Sequence, residues 1–160
     1  MLEKYILIFL VSMVPLIELR GSIVMAVGMD LDYLTALTVS VIGNMLPVPI
    51  IYLFARKVLL WGAHRKYIGK FFRYCLEKGE NGGQKLIART GRGGLFLALL
   101  LFVGIPLPGT GAWTGTLAAS LLKMDFKKSV LACVGGVLLA GCIMGALSLL
   151  GVSAFGAITG

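Results

Sequence analysis

Apolar positions along the chain gather into four stretches, and these differ in length and texture. Leu34 to Phe54 runs for about 21 residues without a charge, between Asp30 and Asp32 on one side and Arg56-Lys57 on the other. Ser129 to Leu150 runs for about 22 residues and follows Lys127-Lys128. Crossing a hydrocarbon core about 30 Å thick takes roughly 20 apolar helical residues, so the pattern predicts spanning helices over 33–55 and 128–150. Pro47 and Pro49 predict a kink in the first span, with Asn44 one turn away to satisfy a freed backbone group. The second carries Gly141 and Gly145 at the spacing used for close helix contact.

The other two stretches are interrupted. Tyr5 to Gly28 is broken by Pro15 and then by Glu18-Leu19-Arg20-Gly21, and Leu95 to Leu122 is broken by Pro106-Leu107-Pro108-Gly109-Thr110-Gly111. Each arm has roughly 8–14 residues, short for a span and suited to one limb of a re-entrant hairpin. Hairpins are therefore expected over 5–29 and 95–122. The halves then match: apolar arm, Pro-Leu, a glycine-containing break, a small-residue arm, Met-Asp, spanning helix. The markers are Pro15-Leu16 and Pro106-Leu107 at the breaks, and Met29-Asp30 and Met124-Asp125 at the returns. This predicts two repeats, 5–55 and 93–152, within a single membrane domain covering 1–160.

Charge fixes the orientation of this scheme. Between Arg56 and Arg92 stand ten Lys or Arg (56, 57, 65, 66, 70, 73, 78, 85, 89, 92) against Glu77 and Glu80, which equals the +8 of the whole chain. By the positive-inside rule this connector, 56–92, is cytoplasmic. If 95–122 crossed fully, Lys123, Lys127 and Lys128 would lie outside; if it dips and returns, they stay inside. The rule favours the return, so the repeats are inverted and both termini are external. The alternative is four full spans with both termini inside. Within the connector Leu60, Ala63, Tyr67, Phe71 and Cys75, with Ile68 and Phe72, recur at helical spacing opposite Lys66, Lys70, Arg73 and Glu77. That reads as a basic amphipathic helix on the anionic inner leaflet, closed by a loop at Glu80-Asn81-Gly82-Gly83.

Composition agrees with a membrane setting. The chain is 58% hydrophobic and 14% charged, with 22 glycines and a mean hydropathy of +0.95, against about 25% charged residues in an ordinary soluble domain. Tyr5 to Pro15 is read as retained rather than as a signal peptide, because Glu18-Leu19-Arg20 stands where a small-residue cleavage site belongs. Cys75, Cys133 and Cys142 lack zinc or redox spacing, and His64 sits alone among basic residues. No metal, cofactor or nucleic-acid partner is expected, and no nucleophile–base arrangement marks an enzyme.

Candidate chemistry concentrates at the two breaks. Glu18 and Arg20 are the ionisable residues set deep in an apolar stretch, a costly placement that marks a cavity or a partner. One reading has them pair with each other or with backbone to hold the bend. In the second break Pro106 and Pro108 stop a half-helix, Gly109 and Gly111 allow a sharp turn, and a new half-helix starts near Ala112. Its free N–H groups, those of the half-helix starting at Gly21-Ser22, and Arg20 together outline an anion site at the midplane. Thr110, Thr114 and Ser22 offer hydroxyls, and Trp113 either lines the site or packs. Glu18 either carries a proton or orients Arg20.

Pro15-Leu16-Ile17-Glu18-Leu19-Arg20-Gly21-Ser22-Ile23, with the second motif from Pro106 through Gly115, resembles the small multidrug export protein family, itself similar to the DedA membrane proteins. The resemblance covers nearly the whole chain. It implies a bacterial or archaeal inner-membrane protein with two facing re-entrant hairpins; from DedA it implies lipid-phosphate carriage coupled to an ion gradient. The chain is shorter than DedA proteins, and its second break has proline and glycine where they often carry further arginine. The leading expectation is thus an H+- or Na+-coupled transporter or flippase for an anionic, lipid-phosphate substrate. A proton-coupled exporter of cationic amphiphiles is the alternative, and a membrane scaffold binding lipid or a partner through the connector is the third. A homodimer is expected to help seal the polar tips.

Overall fold

The computed structural model describes the chain apart from Leu16, Lys66, Ile68, Pro108, Gly109 and Gly160. At 56, 75, 76, 78–80, 82, 83, 86, 87, 90, 92 and 152–159 it describes backbone only. The regular structure is helical throughout, about 84% of the chain, with no strand among the described residues. In order the helices are α1 (Leu2–Met13), α2 (Glu18–Gly28), α3 (Tyr33–Met45), α4 (Pro47–Ala63), α5 (Gly69–Gly104), α6 (Ala112–Leu121) and α7 (Phe126–Thr159).

α3 and α4 meet at Leu46, which keeps helical dihedrals, so together they form one bent helix from Tyr33 to Ala63. That helix and Phe126–Gly151 are long and apolar enough to cross a membrane, with mean hydropathies of 1.8 and 2.4. Most of their apolar residues are not buried, and Leu34, Phe54 and Leu131 are more than half exposed. The core helix of a water-soluble protein would hide such residues; these face outward, as lipid contact allows. α1, α2 and α6 have 12, 11 and 10 residues, or about 15–18 Å each, half a bilayer core.

α1 and α2 pack against each other, and Lys4 Nζ donates to Met29 O at 3.2 Å, so the open ends of that hairpin lie together. α5 and α6 pair in the same way. The first limbs, α1 and α5, lie on α3 and α7 respectively, while the second limbs cross over, α2 onto α7 and α6 onto α4. Tyr33 donates to Gly141 O at 3.0 Å midway along α7, and Tyr52 donates to Met124 O just before its start. α7 therefore runs antiparallel to α3–α4.

The same local devices occur twice. After α2 and after α6 the chain turns through a left-handed residue, Asp30 (φ 53°) and Lys123 (φ 51°). In each turn an amide reaches back five residues, Leu31 N–H to Ala26 O at 3.1 Å and Met124 N–H to Ala119 O at 3.0 Å. Asp32 then caps α3 through Thr35 N–H at 2.9 Å, and Asp125 caps α7 through Lys128 N–H at 3.4 Å. These positions keep a constant spacing of 93 (26 to 119, 30 to 123, 32 to 125). Gly43 and Gly136 share it, and a Cβ on either would come within 2.7 Å of a carbonyl, Phe9 O or Leu100 O. Those two carbonyls, however, are 91 apart, as are Pro15 and Pro106. The second break is thus two residues longer than the first. The Met29-Asp30 and Met124-Asp125 pairing expected from sequence is out of step by two; Asp32 is the counterpart of Asp125.

The connector differs from expectation. α4 continues to Ala63, past the predicted end at 55, because Val58-Leu59-Leu60-Trp61 supplies no breaker. α4 ends at Ala63 and α5 begins at Gly69, so Leu60 and Phe71 belong to different helices, and Tyr67 is 94% exposed. The loop expected at Glu80-Asn81-Gly82-Gly83 is helical backbone within α5. A helical glycine costs about 1 kcal/mol relative to alanine, and Gln84, Lys85 and Ala88 are good helix formers. The bend falls instead at Gly91 (φ 70°, ψ 178°), a conformation that glycine alone adopts readily.

Candidate functional site

α2 begins where the first break ends, and Glu18, its first residue, sits at φ 51°. A non-glycine residue in that region is strained by about 1–3 kcal/mol and persists only when its surroundings hold it. What holds it is the second break, 94 residues away. Glu18 Oε2 accepts from Ala112 N–H and Oε1 from Trp113 N–H, both at 3.1 Å. α6 has no cap of its own, because its N-cap is Gly111. The carboxylate supplies the missing acceptors and puts negative charge at the positive end of the helix.

Arg20 does the converse at the other side of the break. Its Nη1 donates to Leu107 O at 2.7 Å, and its Nη2 lies 3.2, 3.1 and 2.9 Å from Val103 O, Ile105 O and Thr110 Oγ1. The last turn of α5 contains no basic residue. A guanidinium from the first break thus collects its terminal carbonyls, with the sign its dipole requires. Thr110 Oγ1 lies within 2.9 Å of both Ile105 O and Leu107 O and tightens the same turn. The result is a latch of two opposite charges, each on the helix end it suits. Hydrogen bonds to charged groups are worth on the order of 1.5–3 kcal/mol each.

Gly111 makes the close approach possible. Its φ of 153° suits glycine, and a Cβ there would lie 2.0 Å from Glu18 Oε2. Beside the latch opens a half-enclosed pocket of about 390 Å³, lined by Glu18, Arg20, Pro106, Thr110, Trp113 and Thr114 and walled by Pro15, Leu107, Leu117 and Met144. Trp113 Nε1 is buried with no partner among the described residues, a donor held ready at this wall.

The family described as Putative small multi-drug export protein matches residues 18–143, a segment that starts at Glu18 and includes Arg20 and the whole second break. The chain belongs to that family. No curated protein and no solved structure matches it.

In this export-family chain the expected site residues separate into three groups. Glu18, Arg20, Pro106, Thr110, Trp113 and Thr114 come together at the pocket, with Gly111 against the carboxylate. Ser22 turns away: it is buried, and its hydroxyl lies 2.8 Å from Ser40 Oγ and 3.0 Å from Leu19 O, tying α2 to α3. Gly21 likewise lies on α2 outside the pocket, against Ile17. Pro108 and Gly109 fall outside the described residues. The expected use of the α6 N-terminus is also altered. Its first two amides, offered by the sequence to an external anion, are already taken by Glu18, and Arg20 is bound to carbonyls rather than left free.

Leu107, Leu117, Met144 and Pro15 were not singled out by sequence as lining the site. A signal for the latch did exist. The second break has neither a side-chain cap for α6 nor a cation for α5, while the first break carries one acid and one base with no local partners.

Proposed function

We propose that this chain is a small proton-coupled exporter of amphiphilic cations, built from two inverted halves, each a re-entrant hairpin and a spanning helix. The observation that carries the reading is Glu18. It is the one acidic group among the described residues lining the pocket, and its carboxylate also holds the second break in place. Protonating it, or pairing it with a substrate cation, weakens the two charge-assisted bonds to α6. Proton and cation therefore compete for one group, and each exchange biases whether the breaks stay latched. That is the two-state element alternating access needs. The indole of Trp113 and the apolar walls suit an organic cation, which an aromatic face attracts. The family description points the same way.

The antiparallel course of α7 supports the re-entrant geometry. A full crossing by 95–122 would set the start of α7 at the opposite end from Tyr52, yet Tyr52 contacts both Met124 and Phe126. The constant spacing of turns and caps supports the repeat. With the basic connector inside, the protein lies in the cytoplasmic membrane with both termini external.

A phosphate-headed lipid is the second reading, favoured by Trp113 Nε1, which has no partner among the described residues, and by Arg20 at the pocket wall. It requires the phosphate to displace Glu18 from the α6 amides.

The test is efflux of a fluorescent lipophilic cation from proteoliposomes under an imposed pH gradient. Glu18→Gln keeps the size and one acceptor but removes the charge, and it is expected to abolish gradient-driven efflux. Undiminished efflux in Glu18→Gln overturns the exporter reading. Vesicles that move a phosphate-headed lipid in an Arg20-dependent manner, and no cation, favour the second.

A further inference from the structure

Two apolar grooves flank the pocket, and they are the same feature made twice. One, about 530 Å³, lies between α2 and α7, with Val24, Gly28, Met144 and Leu147 in its walls. The other, about 400 Å³, lies between α6 and α4, with Leu117, Leu121, Ile51 and Phe54 in the corresponding places. The pairs 24 and 117, 28 and 121, 51 and 144, and 54 and 147 all differ by 93 positions, the spacing of the turns and caps. Recurrence in both halves distinguishes the grooves from accidental gaps in packing.

Each groove also shares one wall residue with the central pocket, Met144 in the first and Leu117 in the second. They lie toward opposite ends of the molecule. The first lies at the end where Tyr33 meets α7 and the second at the end where Tyr52 meets Met124. We propose that the exported amphiphile bears one long apolar tail, held in either groove while its head stays at the pocket. This rests on the exporter reading. Swinging the tail from one groove to the other then changes sides without taking the charged head through hydrocarbon, where an ion is costly. A head without a tail leaves both grooves unused. A bulk lipid chain or a second copy of the protein could fill a groove, but neither accounts for each groove sharing a wall residue with a pocket lined by a carboxylate, a guanidinium and an indole.

The experiment uses the full chain in neutral-lipid nanodiscs with dodecyltrimethylammonium carrying a diazirine on its terminal carbon. Adducts are mapped with and without excess unlabelled dodecyltrimethylammonium. Labelling of both grooves should fall about tenfold on competition, while labelling of lipid-facing Leu131 should not change. Gly28→Phe adds its side chain into open space at the first groove and should move competed labelling to the second; Ala55→Phe, at the second groove, should do the reverse. Competed labelling missing from both grooves, uncompeted labelling spread evenly over all lipid-facing helices, or no redistribution by either block overturns the proposal. Competed groove labelling without proton-driven efflux upholds the tail site and sinks the exporter reading. Efflux without groove labelling sinks the tail site alone.

Discussion

Glu18 and Gly111 cannot be considered apart, since the carboxylate occupies the space a side chain at 111 would take. Gly111→Ala should therefore force φ strain and push Glu18 off the α6 amides, lowering stability by about 1–3 kcal/mol. Gly28→Ala, where a Cβ meets nothing within 4 Å, should change it little; thermal unfolding in detergent compares the two. Asp32 offers a pH-dependent counterpart. The Thr35 hydroxyl and amide hold its carboxyl below the ordinary 3.8. A group whose folded pKa is depressed stabilises above its unfolded value and loses that contribution as pH falls through the folded one. Asp32→Ala should thus lower the unfolding temperature near neutral pH and make no difference once the solution is acid enough to protonate the native cap. Equal losses at both extremes would count against the cap. The sequence marked Glu18 and Arg20 as a place of function because burying an ion needs a reason. One reading paired them with each other or with backbone; which amides and carbonyls they meet, and that Thr110 Oγ1 joins them, lies in the fold.

At the scale of helices, the duplicated close approaches are what let each first limb lie on its own long helix. A Cβ on Gly43 would lie 2.7 Å from Phe9 O, and one on Gly136 the same distance from Leu100 O. Gly43→Val and Gly136→Val should each push a limb outward and destabilise by about 1–3 kcal/mol. A large effect at one with none at the other would break the equivalence of the halves. The periodic pattern located both long helices and both breaks, since length and hydropathy alone decide those. It misplaced the connector. Glycine pairs such as Gly82-Gly83 read as a loop, but a helix flanked by good formers tolerates them, and Gly91 takes the bend. It also paired Asp30 with Asp125, because a two-residue difference between breaks is invisible until hydrogen bonds show which aspartate caps.

For the whole molecule, the antiparallel course of the long helices makes a topological prediction. An impermeant amine reagent should modify Lys70 and Lys127 from one side of the membrane and Lys4, which lies beside Met29, from the other. Labelling of Lys70 and Lys127 from opposite sides would dismantle the two-hairpin arrangement. The sequence by itself determined the apolar, helical character, the two long helices, the two interrupted stretches and the segment in which positive charge collects, because hydropathy and charge act locally along a chain. The tertiary structure decided which end of the second break each charge of the first would meet. Helix ends expose orphan amides and carbonyls that any suitable charge can satisfy. Only the crossing of α2 onto α7 and α6 onto α4 brings Glu18 to one such end and Arg20 to the other.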